Sequence, residues 1–263
     1  MPEWIEFHRL WGVERFFLYN NRSDDDHLEV LAPYIDEGIV VWHDWPMFPG
    51  QREAYEQCLR DHRHDARWIA FIDLDEFLFS PTRRLLTDVL SDFEAHPGVV
   101  VNMLYYGTSG HETRPPGLAI ENYTRRLRFD RPRNKFVKSI VNPARTTRIG
   151  TNAHYFVYDG HRAVDENFQT LHGESTEEVS VDLLRINHYF TRSQEERRAK
   201  IDRPGILHGK LVKREGLEER DRRLNEEADP VLVPYGRAVH AALAAREAGR
   251  PLPVGALETA FAG

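Results

Sequence analysis

The chain has 263 residues, 41% of them hydrophobic, 29% charged and 11% aromatic, enough apolar material for a core and too much for a disordered chain. That length suits one substantial α/β domain with elaborations, or two small domains. A net charge of −7 argues against general nucleic-acid binding, which needs a basic face, but leaves room for a local basic pocket.

In chain order, Trp4, Phe7, His8 and Trp11 recur at helical spacing and Gly12 stops that helix. Arg15 to Tyr19 reads as a buried strand, followed by the polar loop Asn20 to Ser23. Ser23 is a plausible N-cap for a helix over Asp24 to Ile35. Gly38 to Trp45 reads as the next strand. A turn with Pro46 and Pro49 leads to a helix from Gln51 to about His64. Arg67 to Leu78 reads as a single strong strand, Leu85 to Phe93 as a helix and Val99 to Tyr106 as a central strand. This alternation predicts a mostly parallel, twisted sheet flanked by helices on both faces.

Residues 107 to 135 are rich in Gly, Pro, Arg and Thr and predict a long functional loop with a short helix near Leu118 to Tyr123. Later strands are expected at Lys138 to Asn142, His154 to Tyr158 and Leu183 to Phe190. Helices are expected at Ser193 to Ile201, at Leu217 to Glu227 and in the Ala-rich stretch after Pro234. Cys58 is the single cysteine, so neither an intrachain disulfide nor a cysteine-rich zinc site can form; a reduced, cytoplasmic setting is the simplest expectation. No stretch approaches the ~20 apolar residues that span a bilayer. The start, MPEWIEFHRL, lacks the pattern of a signal peptide. A soluble protein is expected, with peripheral membrane association left open.

The chemistry centres on Asp73-Leu74-Asp75-Glu76. In open α/β sheets ligands bind beyond the carboxyl ends of strands. Two carboxylates one residue apart can share a hard cation whose remaining ligands are diphosphate oxygens and water. A solvated turn is the plain alternative.

Further motifs accompany this cluster. Glu3-Trp4-Ile5-Glu6-Phe7-His8, Gly12-Val13, Phe17 to Asn21, Gln51, Tyr55 and Cys58 lead to Trp68 through Phe77. Gly107 to His111, Lys138-Ser139-Ile140, and His188-Tyr189 with Ser193 and Lys200 follow. In this order they resemble glycosyltransferases of the family-2 and family-92 type over roughly residues 3 to 203.

The resemblance implies a GT-A fold over residues 1–203, with residues 204–263 as a charged and Ala-rich helical extension. It also implies a nucleoside-diphosphate sugar donor, a glycan or other hydroxyl acceptor, and Mn²⁺ or Mg²⁺ held by the Asp-x-Asp motif. By position, Asp73 would face the donor ribose, or the metal through water. Asp75 would ligate the metal directly, and His188 would add a metal or diphosphate contact. A partly buried structural histidine is the other reading of His188. Lys200 and Arg203 would neutralise the diphosphate unless they form a solvated helix face, and Lys138 carries the same ambiguity. Asn20, Asp25 and Gln51 would line the nucleotide pocket. His111 or Glu112 would take the acceptor proton, in a segment whose two glycines a simple turn explains equally well. Relatives carry another strand before the Glu-Trp-Ile helix, ending in Asn-Glu; its absence here makes the chain's start a departure from the pattern. An inverting, metal-dependent glycosyltransferase in glycan or surface-polysaccharide synthesis is the leading expectation. A catalytically impaired binding module and a metal-dependent phosphatase are the alternatives.

Overall fold

In a computed structural model the described residues are 1–202, 217–253, 255 and 257, and they divide into two compact units. Unit 1 comprises Met1–Leu74, Leu78–Met103 and Lys135–Ile186. Unit 2 comprises Asp75–Phe77, Leu104–Asn134 and the described part of Asn187–Gly263.

Unit 1 opens with α1 (Pro2–Leu10), where Pro2 pre-sets the first turn, Glu3 suits the helix dipole, and Gly12, at φ +92°, ends the run. Its buried stripe includes Ile5, Phe7, His8 and Leu10. His8 fixes this helix to the sheet. Its Nδ1 lies 2.7 Å from the Trp4 carbonyl, and the Leu78 amide donates to Nε2 at 3.0 Å. Burial lowers the His8 pKa to about 4.

Next come β1 (Phe16–Asn20), α2 (His27–Asp36), β2 (Val40–Asp44) and α3 (Gln51–Asp61); β1 and β2 pair in parallel. Helix α2 starts three residues later than predicted. Ser23 does not cap it, because its amide donates to Asn20 Oδ1 in a local turn.

The predicted strand from Arg67 to Leu78 is two strands, β3 (Ile69–Phe71) and β4 (Glu76–Phe79), separated by the turn that carries Asp73 and Asp75. Helix α4 (Leu86–Ser91), β5 (Gly98–Tyr105), β7 (Val137–Val141), β8 (Thr146–Ile149), β9 (Phe156–Tyr158) and β10 (Arg185–His188) follow. The main sheet has the order β3-β7-β5-β10-β4. Within it β7 runs antiparallel to both β3 and β5, where a mostly parallel sheet is expected from the sequence. The physical reason is a return of the chain after β5 that inserts β7 between β5 and β3. Phe71, Val100, Val137, Val141, Ile149 and Phe156 build the unit 1 core beneath this sheet.

The ends of β4, β5 and β10 belong to unit 2. Its other elements are α5 (Ala119–Asn122), β6 (Arg125–Arg126), a 3₁₀ turn at Pro132–Lys135, α6 (Gln194–Asp202), α7 (Leu217–Arg223), β11 (Glu227–Ala228) and α8 (Gly236–Glu247). Tyr106, Tyr189, Phe77 and Tyr123 form its aromatic centre, with ring centroids 5.1 to 6.3 Å apart. The C-terminal segment is part of this unit. β11 pairs with β6, and Asn225 Oδ1 accepts from the Ser109 amide at 2.7 Å. Gly107 passes so close to Asn225 that a Cβ there would sit 2.5 Å from its Oδ1. No helix among the described residues is long and apolar enough to cross a membrane.

Candidate metal centre

Three elements of unit 2 converge on one polar cluster. Asp75 closes the turn before β4, and its carbonyl accepts from the Tyr189 amide at 2.8 Å. Glu76 is the first residue of β4 and is fully buried, an acid set at the head of the apolar run Phe77-Leu78-Phe79. His188 ends β10, and its carbonyl accepts from the Tyr106 amide at 2.8 Å, which fixes the imidazole at the strand's carboxyl end.

His188 Nε2 lies 3.4 Å from Asp75 Oδ1, and His188 Nδ1 lies 3.4 Å from Glu76 Oε1. One ligand atom from each of the three residues falls within 4.8 Å of the others. His188 Nδ1 is buried without a hydrogen bond. Lys200, from α6, places Nζ 2.6 Å from Asp75 Oδ2. Burial pushes the Asp75 pKa upward, but His188 and Lys200 more than offset this, so its carboxyl is held well below the usual carboxylate range. An anionic carboxylate oxygen, a second acid and an imidazole nitrogen make a donor set that fits a divalent cation.

Asp73 has different company in unit 1. Its Oδ1 accepts from Gln51 Nε2 at 2.6 Å and from the Tyr55 hydroxyl at 3.4 Å, and its Oδ2 is 2.9 Å from Lys138 Nζ. Gln51 and Tyr55 stand one turn apart on α3. Lys138, on β7, is only 3% exposed. Asn20 and Asp25 are engaged locally: Asn20 accepts from the Ser23 amide, and Asp25 Oδ1 lies 2.9 Å from His27 Nδ1.

In unit 2, His111 Nε2 faces the Asn122 carbonyl at 3.1 Å, and the Glu112 carboxylate is exposed. The two residues' carbonyls accept from the amides of Gln194 and Glu195 at 3.0 and 2.9 Å, which ties their loop to the start of α6. Arg203 lies outside the described residues. Of the residues expected around a metal, the structure gathers Asp75 and His188, adds Glu76, and places Asp73 among Gln51, Tyr55 and Lys138. The signal for Glu76 is an acid at the first position of an otherwise apolar strand.

A family profile described as "Glycosyltransferase family 92" matches residues 1–209. A family 92 protein of Ricinus communis is 30% identical over 197 residues, which is 72% of this chain and 32% of the relative. A β-1,4-galactosyltransferase of Caenorhabditis elegans, galt-1, is 24% identical over 201 residues, 71% of this chain and 43% of the relative. The galactan β-1,4-galactosyltransferase GALS2 of Arabidopsis thaliana is 29% identical over 112 residues, 39% of this chain and 22% of the relative. The chain thus spans about a third of the length of the Ricinus relative it matches. The expectation of a glycosyltransferase holds at the level of family, since the profile covers well over half of the sequence: the chain belongs to glycosyltransferase family 92.

Proposed function

We propose that this chain transfers a sugar from a nucleoside-diphosphate sugar to an acceptor hydroxyl, aided by a divalent cation held by Asp75, Glu76 and His188. The observation that carries this reading is the convergence of those three side chains in a family 92 chain. An imidazole in the donor set favours Mn²⁺ over Mg²⁺, which prefers oxygen ligands and retains several waters. When bound, such a cation would offset charge on the departing diphosphate. Lys200, 2.6 Å from Asp75, is placed to add positive charge beside the same carboxylate. The same reading takes the main sheet as a GT-A-type scaffold, with the turn before β4, the first residue of β4 and the last residue of β10 supplying the ligands.

In the proposed reaction the acceptor oxygen bonds to the anomeric carbon as the bond from that carbon to the diphosphate oxygen breaks. The electron pair leaves with the nucleoside diphosphate, the acceptor proton passes to a base, and a single displacement inverts the anomeric centre. Of the two residues expected to take that proton, Glu112 has the open carboxylate, whereas His111 Nε2 faces a backbone carbonyl. Both galt-1 and GALS2 are β-1,4-galactosyltransferases and GALS2 is named for galactan, so galactosyl transfer is the first reaction to try, with β-galactan as the first acceptor.

The test is nucleoside-diphosphate release from a panel of nucleoside-diphosphate sugars, with and without β-galactan, in MnCl₂ or in EDTA. The proposal expects acceptor-dependent release that needs metal and disappears in Asp75→Ala. Release unaffected by EDTA, or none with any donor in MnCl₂, would contradict it.

A further inference from the structure

Beside the candidate metal centre lies a group of cations gathered around one aromatic ring. Phe190 follows His188 by two residues, and their ring centroids are 5.4 Å apart. Three positive groups face Phe190: Arg133 Cζ at 4.6 Å, Lys200 Nζ at 5.0 Å and Arg197 Cζ at 5.3 Å from its centroid. Arg133 also stacks on Tyr105 at 4.4 Å, and Tyr105 in turn lies 4.8 Å from the His188 ring. Ring quadrupoles attract each cation, but three like charges around one ring repel one another unless anions balance them.

Two of the three have such anions. Lys200 pairs with Asp75, and Arg197 pairs with Asp221 at 2.7 Å, both members of that second pair being nearly buried. Arg133 forms no ion pair with any carboxylate among the described residues, and its Nε is buried without a hydrogen bond. Its guanidinium is held by two rings and by a 3₁₀ turn whose next residue, Asn134, donates to the carbonyls of Arg128 and Phe129 at 3.0 and 3.1 Å. A pre-positioned planar fork of donors without an anion matches the oxygens of a phosphate group.

We propose that Arg133 binds the diphosphate of the sugar donor, and so positions the leaving group beside Asp75, Glu76 and His188. This assignment rests on the glycosyltransferase reading above, and it adds a residue that no sequence motif singles out. Arg133 is then the cation of the three that is left for an anionic ligand, while Lys200, tied to Asp75, and Arg197, tied to Asp221, are balanced within the fold.

The test uses the full chain in MnCl₂ and the four common ribonucleoside diphosphates as probes, followed by calorimetry. Arg133→Met keeps much of the packing against the rings and removes the charge; Arg133→Lys keeps the charge and removes the fork. For the probe that wild type binds best, Arg133→Met is expected to raise Kd by about 10- to 100-fold, with Arg133→Lys between the two. The Kd for Mn²⁺ alone and for the matching unphosphorylated nucleoside should stay at wild-type values, which a merely structural role would not predict. Wild-type affinity in Arg133→Met would overturn this proposal and leave the glycosyltransferase reading standing. A parallel loss of Mn²⁺ affinity in both variants would overturn it too, by showing that Arg133 acts on the fold. Failure of wild type to bind any of the four diphosphates would sink both readings.

Discussion

Asp73 and Asp75 stand two positions apart in the sequence, yet each belongs to a different unit with different partners. Asp73, 37% exposed at its side chain, faces a lysine, an amide and a phenol. Asp75, 19% exposed, faces an imidazole beside a second, fully buried acid, and a lysine. An Asp-x-Asp pair therefore need not be two equivalent ligands. One residue between them is enough to give the first a hydrogen-bonding role and the second a place in a cluster that suits a cation.

Buried histidines show the same contrast. His8, in unit 1, has both ring nitrogens engaged by backbone groups and is held neutral by burial. His188, in unit 2, has both nitrogens directed at carboxylate oxygens at 3.4 Å. The first fixes a helix to a strand; the second sits in the cluster proposed to hold a cation.

The largest effect should come from Asp75→Ala. It removes the anionic ligand proposed above and leaves Lys200 without its carboxylate, so the Kd for Mn²⁺ should rise by more than about 100-fold, above the range typical of changes to outer-shell partners. Calorimetric titration of the metal checks this.

A second effect tests whether His8 is purely structural. Its folded pKa, about 4, lies below the ordinary 6.5, so the unfolded chain binds the extra proton between those values. Its contribution is complete above pH 6.5 and is lost as pH falls toward 4, by about 3 kcal/mol at about 1.4 kcal/mol per unit. Denaturant unfolding from pH 7 to 4 should show this slope, and His8→Gln should flatten it.

His188→Ala comes next, with a rise in the Mn²⁺ Kd of roughly 100-fold, at the upper end of the range for outer-shell partners, and no change in the slope of stability with pH attributed to His8. The smallest effect belongs to Asp73→Asn. It weakens the partnership of buried Lys138, so stability should fall by about 1–2 kcal/mol in denaturant unfolding, discounted for the exposure of Asp73.

Much of this was open to reading from the chain itself. The apolar periodicity of Trp4 to Trp11, the alternation of short strands and helices through Tyr105, and the acidic cluster after Phe71 all correspond to observed elements. Local pattern was informative there because each element buries its own face. Strand order was not legible, because the insertion of β7 between β3 and β5 is a long-range choice among several apolar runs of similar character. The split of the run from Arg67 to Leu78 was hidden because apolar residues lie on both sides of the turn. Glu76 stands in the acidic cluster but carries no ligand motif of its own, and Arg133 is one of several arginines in the segment 107 to 135. Only contacts with Tyr105 and Phe190, distant in sequence, set it apart.

The most direct test of the difference between the two aspartates is a side-by-side Mn²⁺ titration of Asp73→Asn and Asp75→Asn, each checked for folding. Retained metal binding in Asp73→Asn, at a Kd within about threefold of wild type, with binding lost in Asp75→Asn, is the predicted result. Loss in Asp73→Asn with retention in Asp75→Asn would contradict the assignment of the cation to Asp75, Glu76 and His188.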